Sequence, residues 1–275
     1  MEPMISVLVM TYQSEKTVLE TLESVYDQTY QNIELIVTDD GSTDQTLSVA
    51  NEWLDANCFR FVHAVLVPSP GGVNYGISHN ANKGIAVANG QYIRLIAGDD
   101  TLTPDSIELC VFHAQNQQKD WVVGKVDVFG DSDQEWNATE GNSLYDIQFR
   151  NLQKPISQQF KALIAENFFV APGANFYSRK MYDAIGGYDE HYQMLEDYPF
   201  FVRAYQLGYY PYVLDQLVGH YRIHGGSITH TQNSPVRTQH WKDTKRFFFS
   251  TRLWLLLRSA QWRKVLGQAL FYGKR

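Results

Sequence analysis

Apolar runs recur along the first part of the chain, and each ends on polar residues. Ile5-Ser-Val-Leu-Val-Met10 runs into Thr11-Tyr12, and Ile33-Glu-Leu-Ile-Val37 runs into Thr38-Asp-Asp-Gly-Ser-Thr-Asp44. Phe61 to Val67 leads into Pro68-Ser-Pro-Gly-Gly72, and Tyr92 to Ile96 leads through Gly98 into Asp99-Asp100. Short β-rich runs bounded by turn residues predict strands. Between them the apolar period lengthens. Val18, Leu22, Val25 and Tyr26 predict one helix; Leu47, Val49, Ala50, Trp53 and Leu54 predict a second that Ser42 or Thr43 can cap; Ile77 to Asn89 predicts a third. Such alternation argues a parallel sheet with right-handed crossovers. Its polar tips, Thr11-Tyr12, Asp39-Asp40 and Asp99-Asp100, then gather at the carboxyl edge, where α/β sheets place ligands.

Beyond Cys110 the pattern is less regular. Thr103-Pro104-Asp105 opens a helix, Trp121 to Phe129 reads as a strand, and Gly130 to Asn142 reads as a loop. Helices are predicted over Ile156 to Glu166, around Arg179 to Ile185, and from Glu196 onward, where Pro199 suits a first turn. A last strand lies near Tyr212 to Leu214. Gly225-Gly226 and Ser234-Pro235 bound a linker, 225–235, between a main domain over 1–224 and a helical tail over 236–275. The main domain divides into halves at 1–110 and 111–224.

Composition changes the picture at the tail. The chain has 275 residues and a net charge of −7, but the charge is unevenly spread. Residues 236–275 hold ten Lys or Arg against one acid, Asp243, a charge of +9, while the remainder holds 13 bases against 29 acids, a charge of −16. Arg246-Phe-Phe-Phe-Ser-Thr-Arg-Leu-Trp-Leu-Leu-Leu-Arg258 reads as a basic amphipathic helix that lies on an anionic membrane surface, or packs on the main domain or a homodimer partner. An acidic body without a nucleic-acid motif argues against nucleic-acid binding. Cys58 and Cys110 lack metal-ligand spacing and read as buried free thiols of a reducing compartment. The run at Ile5 is too short for a secretion signal, and no run of about 18 uncharged apolar residues occurs. A cytoplasmic protein is expected, peripheral on the inner face of the membrane if the tail binds lipid.

Asp99-Asp100 by itself has two readings. It is a solvated turn, or it is a cation site facing a phosphate-bearing ligand. The wider motif set bears on that choice. Ile5 to Tyr12, Ser24-Val-Tyr-Asp-Gln-Thr-Tyr-Gln-Asn-Ile33 running on to Asp44, Asn82-Lys-Gly-Ile85, Gly90-Gln-Tyr-Ile93 with Asp99-Asp100, Ile185-Gly-Gly-Tyr-Asp-Glu190 and Glu196-Asp197 follow one another in a characteristic order. Together they resemble the family-2 glycosyltransferases, across about the first 200 residues.

That resemblance implies an α/β GT-A fold, a Rossmann-like mixed sheet flanked by helices, here with a basic helical C-terminal extension. It also implies inverting transfer of a sugar from a nucleotide diphosphate donor, UDP-linked by expectation, to a saccharide or lipid-linked acceptor in surface polysaccharide biosynthesis. Thr11, Tyr12, Asp40, Asn82 and Asp99 would contact the nucleotide. Asp100, Asp99 and His224 would hold a divalent metal, Mn²⁺ or Mg²⁺. Asp197 would be the catalytic base and Glu196 would bind acceptor, with Arg222 a phosphate partner.

Structural roles compete at several of these positions. Tyr12 also suits a core, Asp39 and Asp44 suit turns and caps, Glu196 suits a helix start, and a histidine such as His224 suits a structural bond. The sequence departs from the family at Ala81, where an arginine is usual, and at Ala97, where many members carry a further Asp; His79 or Lys83 are candidate replacements for the arginine. Those departures leave open a degenerate sugar-nucleotide binding module without transferase activity. A nucleotidyltransferase is disfavoured, because Thr11-Tyr-Gln-Ser-Glu15 is no Gly-rich phosphate loop, and no dinucleotide fingerprint follows a strand.

Overall fold

The computed structural model describes residues 2–130, 146–169, 172–223, 235–259 and 261–273. Three central strands form as the apolar runs predict: β1 (Ile5–Thr11), β2 (Ile33–Asp39) and β4 (Tyr92–Ala97). With β3 (His63–Val67) they make a parallel half-sheet. Every residue of β1 and β2 is buried, as a strand covered on both faces requires. Helices α1 (Val18–Tyr26), α2 (Thr46–Asn57) and α3 (Ile77–Val87) connect these strands. The helix over 46–57 is capped neither by Ser42 nor by Thr43: Ser42 hydrogen-bonds Asp39, and the Asp44 carboxylate accepts from the Thr46 N–H at 3.0 Å.

The register sets the polar tips side by side. Thr11 pairs with Asp39, and Met10 with Ala97. The Asp40 N–H donates to the Thr11 carbonyl at 3.0 Å, and the Gly98 N–H to that of Met10 at 2.8 Å.

The remaining strands depart from an all-parallel sheet. In full the strand order is β3-β2-β1-β4-β7-β6-β8-β5, where β5 is Thr101–Leu102, β6 Trp121–Gly130, β7 Asn175–Ser178 and β8 Tyr212–Ile223. β7 runs antiparallel to both β4 and β6, so the sheet is mixed. β8 extends far beyond Leu214, and its later part lies between β5 and β6, with Thr101 opposite His220 and Phe129 opposite Arg222. This long strand carries Arg222 to the tip of β4.

Helices α4 (Ser106–Asn116), α5 (Ile156–Ala165), α6 (Arg179–Ile185) and α7 (Asp197–Gln206) cover the sheet. One hydrophobic cluster extends from Ile5 to Phe247, so the segments before and after Cys110 share a single core that reaches into the last 40 residues. Much of it is aromatic: Trp121 stacks on Phe169 at 5.0 Å and on Phe201 at 5.2 Å. Cys110 lies in this core, whereas Cys58 is exposed, because the chain leaves α2 there through a surface turn; the expectation of two buried thiols fails at Cys58.

The tail folds as α8 (Pro235–Phe247), a π-helical turn (Phe248–Arg252), α9 (Leu253–Arg258) and α10 (Trp262–Gly273). It packs on the main domain through buried Phe247, Phe248 and Leu256, and Arg252 hydrogen-bonds the carbonyls of Ile164 and Ala165. Among the described residues, no helix is long and apolar enough to cross a membrane.

Candidate active site

The tips of β1 and β2 are held together by Asp39. Its carboxylate accepts from the Thr11 hydroxyl at 2.9 Å, from the Gly41 and Ser42 N–H groups at 2.9 and 2.8 Å, and from the Ser42 hydroxyl. Gly41 is required at this turn: its φ is +81°, and a Cβ would sit 2.7 Å from the Gly72 carbonyl oxygen. Asp39 and Thr11 thus shape the tip, and beside it Tyr12 stands 42% exposed, free to stack on a planar ligand.

Asp40 is buried and accepts from the N–H groups of Tyr75 and Gly76 at 2.9 and 3.0 Å. Burial pushes its carboxyl up, against the lowering effect of those two donors and of Lys83 and His79. Each carboxylate oxygen retains acceptor capacity for a further N–H. The Lys83 ammonium donates to the Asp39 carbonyl at 2.7 Å and brings a cation to this tip, while Ala81 is fully buried. Asn82 lies in the same helix but faces elsewhere. Its amide NH₂ donates to the Tyr188 carbonyl and the Glu190 carboxylate at 2.9 and 2.8 Å, and its oxygen accepts from the Tyr182 hydroxyl and the Tyr188 N–H at 2.6 and 3.0 Å. Both ends are engaged in joining α3 to the turn after α6.

At the tip of β4 the two carboxylates differ. Asp99 is partly exposed, whereas Asp100 is 3% exposed and accepts from the Arg222 N–H at 2.9 Å. Burial, and then the charge of Asp99, holds the Asp100 carboxyl well above the usual carboxylate range. The Arg222 guanidinium donates through Nε to the Asp99 carbonyl at 2.7 Å, pairs with Glu20, and lies 4.2 Å from the centre of the Phe129 ring. Among the described residues, no three His, Cys, Asp or Glu side chains converge as a metal cluster, and His224 lies outside the described residues. Two adjacent carboxylates fit a hard cation that completes its shell with phosphate oxygens and water, the usual habit of Mg²⁺ in phosphate sites.

Glu196 and Asp197 begin α7 and line a pocket together with Met10, Leu95, Asn175, Tyr177, Tyr188 and Phe201. Met10 and Leu95 come from β1 and β4, so this small pocket touches the two strands that lead into Thr11-Tyr12 and Asp99-Asp100. Asp197 accepts from the Tyr198 N–H and from the Asn167 amide at 3.2 Å. Burial raises its carboxyl, and these donors, together with His240 of α8, oppose that rise. The Glu196 carboxyl is pushed up to about 8 by burial and by the charge of Asp197. Both carboxyls of this adjacent pair are therefore raised, and burial is the first cause for each.

In the sequence Lys83 signals only a stand-in for the missing arginine, and the backbone donors of Tyr75 and Gly76 and the Asn167 amide carry no local signal. Gly76 has one in retrospect: its φ of +97° and the 2.7 Å approach of the Gln193 carbonyl to a Cβ demand glycine.

The model of the family described as "Glycosyl transferase family 2" matches residues 6–186. The glycosyltransferase GlyG of Streptococcus pneumoniae is 34% identical over 134 residues, which are 48% of this chain and 42% of GlyG, so the chain spans less than half of that relative. S. aureus TarS 1–349 in complex with UDP-GlcNAc shares the fold with a TM-score of 0.64 at 18% identity, over 90% of this chain and 74% of TarS 1–349. The mannosyltransferase PcManGT of Pyrobaculum calidifontis, in complex with GDP-Man and Mn²⁺, does so with a TM-score of 0.63 at 17% identity, over 98% and 76%. The ordered motifs, the mixed GT-A sheet and the family match agree: this chain belongs to glycosyl transferase family 2.

Proposed function

We propose that the protein transfers a sugar from a nucleotide diphosphate donor, UDP-linked, to a saccharide or lipid-linked acceptor in surface polysaccharide biosynthesis, with inversion at the anomeric carbon. The observation that carries this reading is the placement of Asp197. A carboxylate with both oxygens held by N–H donors lines a small pocket that also touches Met10 of β1 and Leu95 of β4, the strands that lead into Thr11-Tyr12 and Asp99-Asp100. In this reading Tyr12 stacks on the base, Thr11 and Asp40 line its edge, and Asp99 meets the ribose. Asn82 supports the pocket wall through Tyr188.

The acceptor hydroxyl gives its proton to an Asp197 oxygen as its own oxygen bonds to the anomeric carbon. The bond from that carbon to the phosphate oxygen breaks on the opposite face, and the nucleoside diphosphate leaves with the electron pair. Asp99 and Asp100 would hold a Mn²⁺ or Mg²⁺ ion, which supplies Lewis-acid charge for the leaving diphosphate when bound. Arg222 and Lys83 add fixed positive charge nearby. Protonated Glu196 donates a hydrogen bond to the acceptor. The ligands of the structural neighbours, UDP-GlcNAc in TarS and GDP-Man with Mn²⁺ in PcManGT, support the donor class and the metal.

A panel of UDP- and GDP-sugars, assayed for nucleoside diphosphate release with saccharide acceptors with and without Mn²⁺, tests the reading. Asp197→Asn is expected to lower turnover by about 10²–10⁴-fold, the share of a general base, with UDP binding retained. Turnover by Asp197→Asn at the wild-type rate excludes it as the base, and donor binding without turnover by the unaltered protein supports a binding module instead.

A further inference from the structure

The last two helices of the tail turn one side to the body and leave the other apolar. In α10, Val265, Gln268, Ala269 and Tyr272 follow the i, i+3, i+4, i+7 stripe of a packed face. Opposite them, Leu266, Leu270 and Phe271 are 63%, 60% and 51% exposed. In α9, Trp254 is 59% exposed with the Arg258 guanidinium 5.3 Å from its ring centre.

The charge on this segment has one sign at the surface. Residues 236–275 contain ten Lys or Arg and a single acid. That acid, Asp243, is buried, and its carboxylate accepts from the Met194 N–H at 2.8 Å and the Gln239 amide at 2.9 Å. The tail therefore shows water cations and apolar side chains and no carboxylate side chain, while the rest of the chain carries a charge of −16.

We propose that this face docks on an anionic phospholipid bilayer. Leu266, Leu270, Phe271 and Trp254 enter the headgroup boundary, and bases such as Arg258 and Lys264 meet the lipid phosphates. The acidic body is repelled by the same surface, which orients the molecule with its tail toward the lipid. A second copy of the chain fits poorly. A two-fold interface sets a patch against itself, and every charged side chain this patch would bring to its own image is a cation. Nucleic acid would engage the cations but gives the leucines no apolar phase.

Sedimentation of the full chain with vesicles of phosphatidylcholine alone, and of phosphatidylcholine mixed with phosphatidylglycerol, tests the proposal without reference to catalysis. Binding to the mixed vesicles, weakened by salt and nearly absent on phosphatidylcholine alone, is expected. The double substitution Leu266→Ser with Leu270→Ser, at exposed positions, is expected to cut partitioning about tenfold or more while leaving the melting temperature in solution unchanged. Equal binding to both vesicle types, no binding, or indifference to the double substitution overturns the proposal. So does a dimer in light scattering that the same substitution dissociates, or a single-stranded RNA probe that competes the protein off the mixed vesicles.

Discussion

The direction of the Asn167 amide is fixed from its far end: Oδ1 takes the Phe169 N–H at 3.1 Å, so the NH₂ group faces Asp197. A donor held in this way favours the carboxylate over the acid. In Asn167→Ala the Asp197 carboxyl is expected to rise, moving the acidic limb of the kcat profile to higher pH and lowering kcat about tenfold at neutral pH, with donor KM unchanged. A loss of thermal stability with an unmoved limb would assign Asn167 a structural role only. Glu196 makes a second prediction, with the opposite emphasis. Its carboxyl is raised to about 8 beside Asp197, with Tyr177 and Tyr188 facing it as neutral phenols that burial holds above their ordinary range. The folded state therefore binds more protons than the unfolded one between about pH 4.5 and 8, and stability falls as pH rises across that window. Glu196→Gln mimics the protonated form. It is expected to stabilise the protein by about 1–2 kcal/mol near pH 8, after allowance for water at the pocket mouth, and by nothing near pH 4, as urea unfolding at the two pH values will read. A stabilisation that is the same at both would remove the proton from the account.

At the scale of elements, the parallel half of the sheet is pinned by a buried carboxylate. Glu34, the second residue of β2 and 1% exposed, accepts from the Ser6 hydroxyl, the Gly90 N–H at 2.8 Å and the Asn89 N–H, which ties β1, β2 and the entry to β4 into one register. Glu34→Ala would take the acceptor from the buried Ser6 hydroxyl and the Asn89 N–H, while the Gly90 N–H keeps the Ser6 oxygen at 2.8 Å, so unfolding free energy is expected to fall by about 1–3 kcal/mol; denaturant titration checks it, and a change below about 0.5 kcal/mol would mean that water replaces the carboxylate. This half of the fold was legible in sequence, because strands buried on both faces leave continuous apolar runs and their helices keep a 3.6-residue period. The other half was not. β8 alternates between buried and exposed without a steady period and shifts register against β6 between Val123 and Val126, so only Tyr212 to Leu214 read as strand. β7 has four residues and β5 two, too few for a pattern to declare itself. The site divides along the same line. The carboxylates at strand tips and at the head of α7 could be named, since motif order carries them. The partners that set their chemistry, Arg222 for Asp100 and Asn167 for Asp197, arrive from distant segments that no local spacing encodes.

For the molecule as a whole, the tail is both a surface and a structural member, and Arg252 shows how the two are joined. Its guanidinium is 2% exposed, donates to the carbonyls of Ile164 and Ala165 that α5 leaves at its C-terminal end, and bonds Gln268 of α10 at 3.1 Å. It also stands 4.9 Å from the ring centre of Tyr198, the residue after Asp197, whose hydroxyl donates to the Leu163 carbonyl at 2.6 Å. One side chain thus satisfies a helix end, fastens the last helix and braces the residue that donates its N–H to the Asp197 carboxylate. A tail built this way melts with the body, so a single cooperative transition is expected for the unaltered chain. Arg252→Met keeps the volume but removes the guanidinium donor from the Ile164 carbonyl and leaves the Ala165 carbonyl to the Gln268 amide at 2.8 Å, and should lower unfolding free energy by about 1–3 kcal/mol. Because Tyr198 then loses its brace, kcat is expected to fall while donor binding holds. Limited proteolysis alongside calorimetry separates the alternatives: if cleavage and a first transition appear in the tail while the body melts at its original temperature, the tail is an independent appendage and Asp197 does not depend on it.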